Sequence, residues 1–328
     1  NTVSARNYAG TNECQGWVGI RFQSEVGGPP NTVILHINML DDTNLAQQEV
    51  VGILGVNLIY GAFFHADGSG HGLATLADNT GTARLEADLV DASGPVFAGI
   101  DAIATGMAIV QGGLAQAILL DHAGQQQPPT EIIHKRPAII ERTTLRKGSP
   151  ARSANLDRGA QQLSAEGQTQ GKAPVKITEF SINKVHTGED SDPERELSHL
   201  RQLVESNDWV MLTAMGQTHS LSSYLRRYSQ QPVRYVVGIS TLVMLLCDKF
   251  YGNSGSSLLE ATGKLFSEDA RIYVQAMSRD EFELHIDAAG LASDWFVVAG
   301  VEEDVSLGNL SFHGPVQKLY EYLLDSDW

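Results

Sequence analysis

The strongest constraint on the fold is a regular alternation of strand-like and helix-like segments between residues 175 and 277. The strand-like segments are short, apolar and rich in β-branched residues: VKITEFSI, DWVMLTAMG, PVRYVVGI and ARIYVQAM. Between them lie segments of helical length and period, such as DPERELSHLRQLVES. Strands that alternate with helices predict βαβ units, in which a parallel sheet is covered by helices on both faces. Because such crossovers are right-handed, we expect an α/β fold with a Rossmann-like three-layer domain over residues 175–328.

The first half of the chain predicts a separate α/β domain over residues 1–142. GWVGIRFQSE, NTVILHINML, RLEADLVDAS and TEIIHKRPAIIER predict strands, and FAGIDAIATGMAIVQGG predicts a helix that stops at glycine. DDTNLAQQEVVGILGVNLIYG also predicts a helix, although its β-branched second part leaves a change to strand near Gly55 open. Residues 143–174 are polar and hold few aliphatic side chains, which indicates a linker with a short helix between the two domains.

The composition excludes several classes of function. The chain has 39 acidic and 23 basic residues, and its net charge of −16 disfavours nucleic acid and anionic lipid, which need basic residues at the contact. No run of about 18 apolar residues occurs, so we expect no membrane span and no membrane partner. Cys14 and Cys247 are too few for a disulfide scaffold, and we therefore expect a cytoplasmic protein. A small anionic ligand stays open as a partner, and so does the oligomeric state.

The two ends of the chain indicate a longer protein. The chain starts with NTVSARNYAG, which has neither an initial Met nor the pattern of a signal peptide. It stops directly after KLYEYLL, which reads as an amphipathic helix. We expect that both ends are trimmed.

Two polar turns follow predicted strands in the second half, at GQTHS and at GIST, and we expect these two strand ends to be adjacent in the sheet. Ligands of open α/β sheets lie beyond the carboxyl ends of the strands, where free helix amides and hydroxyl groups suit a phosphate or a carboxylate. The candidate ligand-binding residues are Gly216, Thr218, Ser220, Gly238, Ser240 and Thr241. His219 is a candidate catalytic residue in the first turn. Simple capping of the two helices by Ser and Thr is the alternative.

A row of charged residues marks the predicted strand RLEADLVDAS. Arg84, Glu86 and Asp88 alternate with apolar residues, and Asp91 follows where the strand ends. Carboxylates in this arrangement suit a divalent metal or acid–base chemistry, and Asp91 is the candidate ligand of a possible Mg²⁺. The alternative is a strand with one solvated face, which shows the same alternation.

Basic residues cluster just after the first half. Lys135, Arg136, Arg142, Arg146 and Lys147 lie within IIHKRPAIIERTTLRK, against a strongly acidic background. Such a cluster can collect an anionic ligand. Exposed salt bridges with the surplus carboxylates are the alternative.

The stretch GAFFHADGSGH, residues 61–71, resembles the phosphate-binding signature GGTFDPxHxGH of nicotinate-nucleotide adenylyltransferases, which follows the first strand of that family. Gly61, Phe64, Gly70 and His71 match it, whereas Gly68 stands in place of its first histidine. The resemblance implies glycines that approach a triphosphate and a catalytic role for His71 in stabilising phosphate charge. The companion pattern ISSTxxR has no counterpart, and the alternative is a loop at the end of a buried helix.

A wider resemblance runs over most of residues 16–278. The segments VILHINMLDDTNLAQQEVVGILGVNLIYGAFF, RLEADLVDASGPVFAGID, HKRPAIIER and YLRRY are similar, in this order, to a poorly characterised bacterial family. Its members are commonly labelled nicotinate-nucleotide adenylyltransferase and sometimes TonB-dependent receptor. The first label implies binding of a nucleotide or another phosphorylated small molecule and, in an enzyme, nucleotidyl transfer. The alternative function is a non-catalytic ligand sensor or an assembly partner.

Overall fold

The computed structural model describes residues 2–6, 13–64, 75–81, 83–143, 154–182, 193–251, 257–291, 294–301 and 303–328. The strands are β1 (Thr2–Arg6), β2 (Cys14–Gln23), β3 (Pro30–Met39), β4 (Leu85–Ser93), β5 (Ala117–Asp121), β6 (Gln126–Gln127), β7 (Ala138–Thr143), β8 (Val175–Ser181), β9 (Trp209–Thr213), β10 (Val233–Gly238), β11 (Ala270–Gln275), β12 (Met277–Ser278), β13 (Phe296–Val298), β14 (Asp304–Val305) and β15 (Leu310–Phe312). The helices are α1 (Asn44–Phe64), α2 (Ala102–Gln111), α3 (Pro129–Ile132), α4 (Ala154–Ala165), α5 (Pro193–Ser206), α6 (Thr218–Arg226), α7 (Ile239–Leu245), α8 (Leu258–Leu265), α9 (Arg279–Ala288) and α10 (Pro315–Asp325).

The first sheet has four antiparallel strands in the order β1-β2-β3-β4. One face of β3 and β4 is apolar and packs with α1 in a common core, whose members include Val33, Leu35, Ile37, Leu85, Val50 and Leu54. The other face carries His36, Asn38 and Glu86, together with Asp88. All four polar side chains are buried, so the interpretation of RLEADLVDAS as a strand with one solvated face is wrong.

The larger sheet has seven strands in the order β11-β10-β7-β8-β9-β5-β6. The five strands from β11 to β9 are parallel, and β5 and β6 extend the sheet with antiparallel pairings. Helices α6, α7 and α9 pack on one face, while α4 and α5 pack on the other. The expected α/β class, with helices on both faces of a largely parallel sheet, is confirmed.

The large sheet continues across the predicted linker. Strands β5 to β7 come from before residues 143–174, and β8 to β11 come after them. The predicted short helix within that segment is α4, which packs against β7 and β10 through Leu156 and Leu163. The division of the chain into two domains, residues 1–142 and 175–328, stays a prediction.

The helix predicted from DDTNLAQQEVVGILGVNLIYG is confirmed, because α1 continues through residues 55–64 and no change to strand occurs at Gly55. The apolar residues of α1 lie all round the helix, so its sequence lacks the one-sided apolar pattern that is typical of a surface helix. The prediction of one strand over residues 130–142 is wrong, because α3 ends at Ile132 and β7 begins only at Ala138. None of the helices among the described residues is long and apolar enough to cross a membrane.

Two glycines provide a matched test of this fold. Gly94 ends β4 with a φ of 113°, and a Cβ there would lie 2.7 Å from the Asn31 Cα and from the Pro30 carbonyl oxygen. Gly52 lies on the exposed side of α1, and a Cβ there meets nothing within 4 Å. We expect Gly94→Ala to lower the free energy of unfolding by at least about 2 kcal/mol. Gly52→Ala should raise it by about 0.5–1 kcal/mol, because alanine favours helix. Denaturant unfolding of both variants measures this, and equal effects would contradict the backbone assignment.

Candidate functional site

The strand order of the large sheet reverses between β7 and β10. From β7 the chain proceeds outward to β8 and β9, and it then returns to place β10 and β11 on the opposite side of β7. Helix α4, which follows β7, packs on one face of the sheet, whereas α7, which follows β10, packs on the other. In open α/β sheets this topological switch point is where ligands bind.

The two predicted turns lie at this carboxyl edge, but they are not neighbours. GQTHS follows β9 and GIST follows β10, and the strands β7 and β8 lie between them. The expectation of adjacent strand ends is wrong, because the chain reverses its direction of progress across the sheet. At a spacing of about 4.8 Å per strand, roughly 14 Å separates the two strand ends.

Residues 245–251 link the two turns. Gln217 donates from Nε2 to the Phe250 carbonyl oxygen at 2.7 Å, and the His219 ring lies 6.0 Å from the Tyr251 ring. Tyr251 in turn donates from its hydroxyl to the Leu245 carbonyl oxygen at the end of α7. The GQTHS turn, α7 and the segment after it thus form one connected wall of the edge.

The guanidinium of Arg142 holds the turn after β9 in place. Its Nε donates to Glu179 Oε2 at 2.6 Å, and its Nη1 donates to the Gly216 carbonyl oxygen at 2.8 Å. The Nη2 group donates to the Met215 carbonyl oxygen at 3.0 Å and to Glu179 Oε1 at 3.2 Å. Thr213 donates to the same carboxylate, which is fully buried. Arg142 was predicted within a basic cluster, and it does form a salt bridge, but with a buried carboxylate and not with an exposed one.

The predicted ligand-binding residues differ in their exposure. Thr218, His219 and Ser240 are buried, whereas Gly216, Ser220, Gly238 and Thr241 are half-buried at the edge. Helix α6 begins at Thr218, so Thr218 and Ser220 both lie in its first turn. Neither α6 nor α7 has a side-chain cap, so simple capping by Ser or Thr does not explain these residues. Ser240 is hydrogen-bonded to His285 Nδ1 at 3.0 Å.

The surroundings of His219 favour its neutral form. Burial lowers the pKa of His219 below its ordinary value, and the positive charges of Lys264 and Arg142 lower it further. Glu260 acts in the opposite direction. A negative charge beside the imidazole would act against this lowering, because it favours the charged form.

The remaining predicted residues do not join this edge in the described part of the chain. His71 lies outside the described residues. Asp91 is exposed at the end of β4, and no group of three His, Cys, Asp or Glu side chains able to hold a metal occurs among the described residues. Gly61 is buried within α1, so the GAFFHADGSGH stretch does not follow a strand as the resembling signature does.

The structure also assembles a buried cluster that the sequence did not predict. The polar face of β3 and β4 meets the end of α6, and we call this group of seven side chains the interlayer cluster: His36, Asn38, Glu86, Asp88, Tyr224, Arg227 and Tyr228. Arg227 Nη1 lies 3.0 Å from Glu86 Oε1, across 141 residues of sequence. The available signal was a pair of charged residues inside an otherwise apolar strand. It did not indicate a partner so distant in the chain.

Comparison with known proteins gives no assignment. The chain matches no family model, no curated protein and no solved structure. The resemblance to the family labelled nicotinate-nucleotide adenylyltransferase therefore stays a prediction.

Removal of the Arg142 charge tests the anchoring of the turn. Arg142→Gln leaves the carboxylate of Glu179 buried without its cation, and we expect it to lower the free energy of unfolding by about 3–5 kcal/mol. The control is Arg201→Gln, because Arg201 pairs with Asp101 at the surface and both side chains are well exposed. Its loss should cost less than about 1 kcal/mol. Denaturant unfolding measures both variants. If the free energy of unfolding falls by a similar amount in the two, Arg142 does not anchor the turn.

Proposed function

We propose that the chain binds a small anionic molecule, a nucleotide or another phosphorylated compound, at the carboxyl edge between the turns after β9 and β10. The observation that carries the proposal is the reversal of strand order at β7 and β10. It places two glycine-containing turns on either side of a switch point, and the anchored GQTHS turn opens a nine-residue helix there. Its free amides favour negative charge.

We infer that the fold is Rossmann-like in its finer detail. Counted from β7 as the first strand, the parallel strands have the order 3-2-1-4-5, which is the order of dinucleotide-binding folds. In those folds the connection after the first strand approaches the phosphates. The corresponding segment, residues 144–153, lies outside the described residues, and its sequence TLRKGSPARS carries three basic residues. Both features support an anionic ligand.

Catalysis is a further step of the proposal. If the chain is an enzyme, nucleotidyl transfer is the class that the resemblance implies, and His219 is the candidate to stabilise phosphate charge. His71, and Asp91 with Mg²⁺, enter this proposal only through the resemblance and the sequence pattern. A cytoplasmic location belongs to the same set of proposals.

Thermal unfolding in the presence of ligands tests the proposal. ATP, nicotinamide mononucleotide or nicotinate mononucleotide, each with and without Mg²⁺, should raise the melting temperature, since a ligand at 100 times its Kd stabilises the folded state by about 2.7 kcal/mol. His219→Ala should weaken binding roughly tenfold, which is the usual loss for a hydrogen bond to a charged group. His313→Ala is the control, because His313 is exposed and lies on a different part of the chain. Each shift is measured against the ligand-free melting temperature of the same variant.

The pH dependence of binding supplies a second readout in the same experiment. Because the pKa of His219 is lowered, its imidazole is neutral at neutral pH and gains charge as the pH falls. Affinity for the anion should therefore rise towards lower pH in the unmodified protein and less so in His219→Ala. Absence of any stabilisation by all of these ligands would refute the nucleotide proposal.

The alternative function is a non-catalytic one, and one observation favours a role in assembly. Helix α1 exposes Val56, Ile59, Tyr60, Phe63 and Phe64. Contiguous exposed apolar side chains of this kind mark protein contacts more often than free surface. We place this function second, because the face carries no charge that would specify a partner.

A further inference from the structure

The interlayer cluster joins two layers of the protein through buried polar groups. Its strand side comes from β3 and β4, and its helix side comes from the end of α6 and the residues just after it. Glu86 is fully buried, whereas Arg227 is 27% exposed. Burial of ionisable groups on this scale is costly unless each of them has its partners.

Asp88 has its partners. His36 donates from Nδ1 to Asp88 Oδ1 at 2.6 Å, and Asn38 donates from Nδ2 to Asp88 Oδ2 at 2.7 Å. The strand pairing shifts between His36 and Ile37, where Asp88 is the extra residue of a β-bulge. A bulge redirects a side chain. Here it brings the Asp88 carboxylate between its two donors.

Glu86 and Asn38 are left with a shortage of donors. Glu86 Oε2 and Asn38 Oδ1 are both buried and have no hydrogen-bond partner among the described residues. The two residues are register partners on adjacent strands, so their side chains lie on the same face. The Asn38 Nδ2 group already donates to Asp88 Oδ2, and rotation of the amide towards Glu86 would break this hydrogen bond. Both oxygens can only accept hydrogen bonds, and the hydroxyl groups of Tyr224 and Tyr228 in the same cluster are buried without a partner in the described part of the chain as well.

We propose that Glu86 is a proton-binding site: the folded protein takes up a proton on its carboxylate, and this proton weakens the ion pair that joins Arg227 to the four-stranded sheet. A proton on Oε2 converts this buried, unpaired acceptor into a donor. The ligand is the proton itself, which leaves the solvent and forms an O–H bond on the carboxyl group. The inference does not depend on the anionic ligand proposed above.

The charges that face Glu86 agree with this assignment. Burial raises the pKa of Glu86 to about 7, and the positive charge of Arg227 opposes the rise without cancelling it. The carboxylates of Asp88 on the same strand and Glu13 before β2 raise the pKa further. On the helix side Tyr224 and Tyr228 stay neutral, because burial raises the pKa of each hydroxyl well above its ordinary value. His36, on β3, donates to Asp88.

The sign of the effect on stability follows from the raised pKa. The folded state holds the proton up to about pH 7, whereas the unfolded chain releases it near the ordinary value of 4.5. The stabilisation is therefore complete below about pH 4.5 and is lost as the pH rises through 7. Between pH 5 and pH 8 this single group should raise the unfolding equilibrium constant on the order of 100-fold.

Denaturant unfolding at a series of pH values tests the inference. The ratio of the unfolding constants of the unmodified chain and Glu86→Gln should change on the order of 100-fold between pH 5 and pH 8, because Gln has no proton to lose. Glu205→Gln is the matched control, since Glu205 is exposed on α5, and it should keep the pH dependence of the unmodified chain. A ratio for Glu86→Gln that changes less than about threefold would overturn the assignment.

A second measurement needs no change at Glu86 and covers the case in which Glu86→Gln does not fold. In the unmodified chain labelled with ¹³C at the Glu carboxyl carbons, one resonance should titrate with a midpoint near pH 7. In Arg227→Gln the same resonance should titrate at higher pH, because the opposing positive charge is gone. If every Glu carboxyl in the unmodified chain titrates at its ordinary pH, the inference is wrong.

Discussion

The ion pair between Arg142 and Glu179 is the contact on which the carboxyl edge depends. A fully buried carboxylate requires a cation and hydrogen-bond donors, and Arg142 and Thr213 supply both. The same guanidinium reaches the carbonyl oxygens of Met215 and Gly216, so three adjacent strands and the turn beyond them share one anchor. The planar guanidinium of Arg carries several N–H donors and can bind the carboxylate and both carbonyl oxygens at once. The single ammonium group of a Lys at this position could not make the same set of contacts. The position of GQTHS, and with it the start of α6, therefore follows from a charge on β7.

Helix α6 connects the two polar regions of the molecule. Its first turn lies at the switch-point edge, where the surroundings keep His219 neutral. Arg227 follows its last turn and reaches Glu86 on the other sheet. The two ends of α6 therefore differ in the charge that they favour. The start of the helix suits an added anion, and the other end supplies a cation to a carboxylate whose burial favours a proton.

The local elements of this fold were largely predictable, and its long-range arrangement was not. Apolar runs and helical periods identify β8 to β11 and the helices between them, because both patterns are local. The strand order is not local: the return of the chain to the far side of β7 leaves no trace in the periodicity of β10. For this reason GQTHS and GIST were correctly placed at strand ends but wrongly expected to be neighbours. The alternation in RLEADLVDAS is identical for a solvated face and for a polar face covered by α6, and only the fold separates the two.

We propose that an anionic ligand binds between the turns after β9 and β10. Hydrogen–deuterium exchange of the full chain, with and without ATP and Mg²⁺, tests it most directly, because exchange reports on the backbone amides of both turns in one experiment. We expect slower exchange in peptides that cover residues 214–221 and 237–243, with no change in residues 44–64 of α1. Unchanged exchange in both turns, or protection confined to α1, would contradict it.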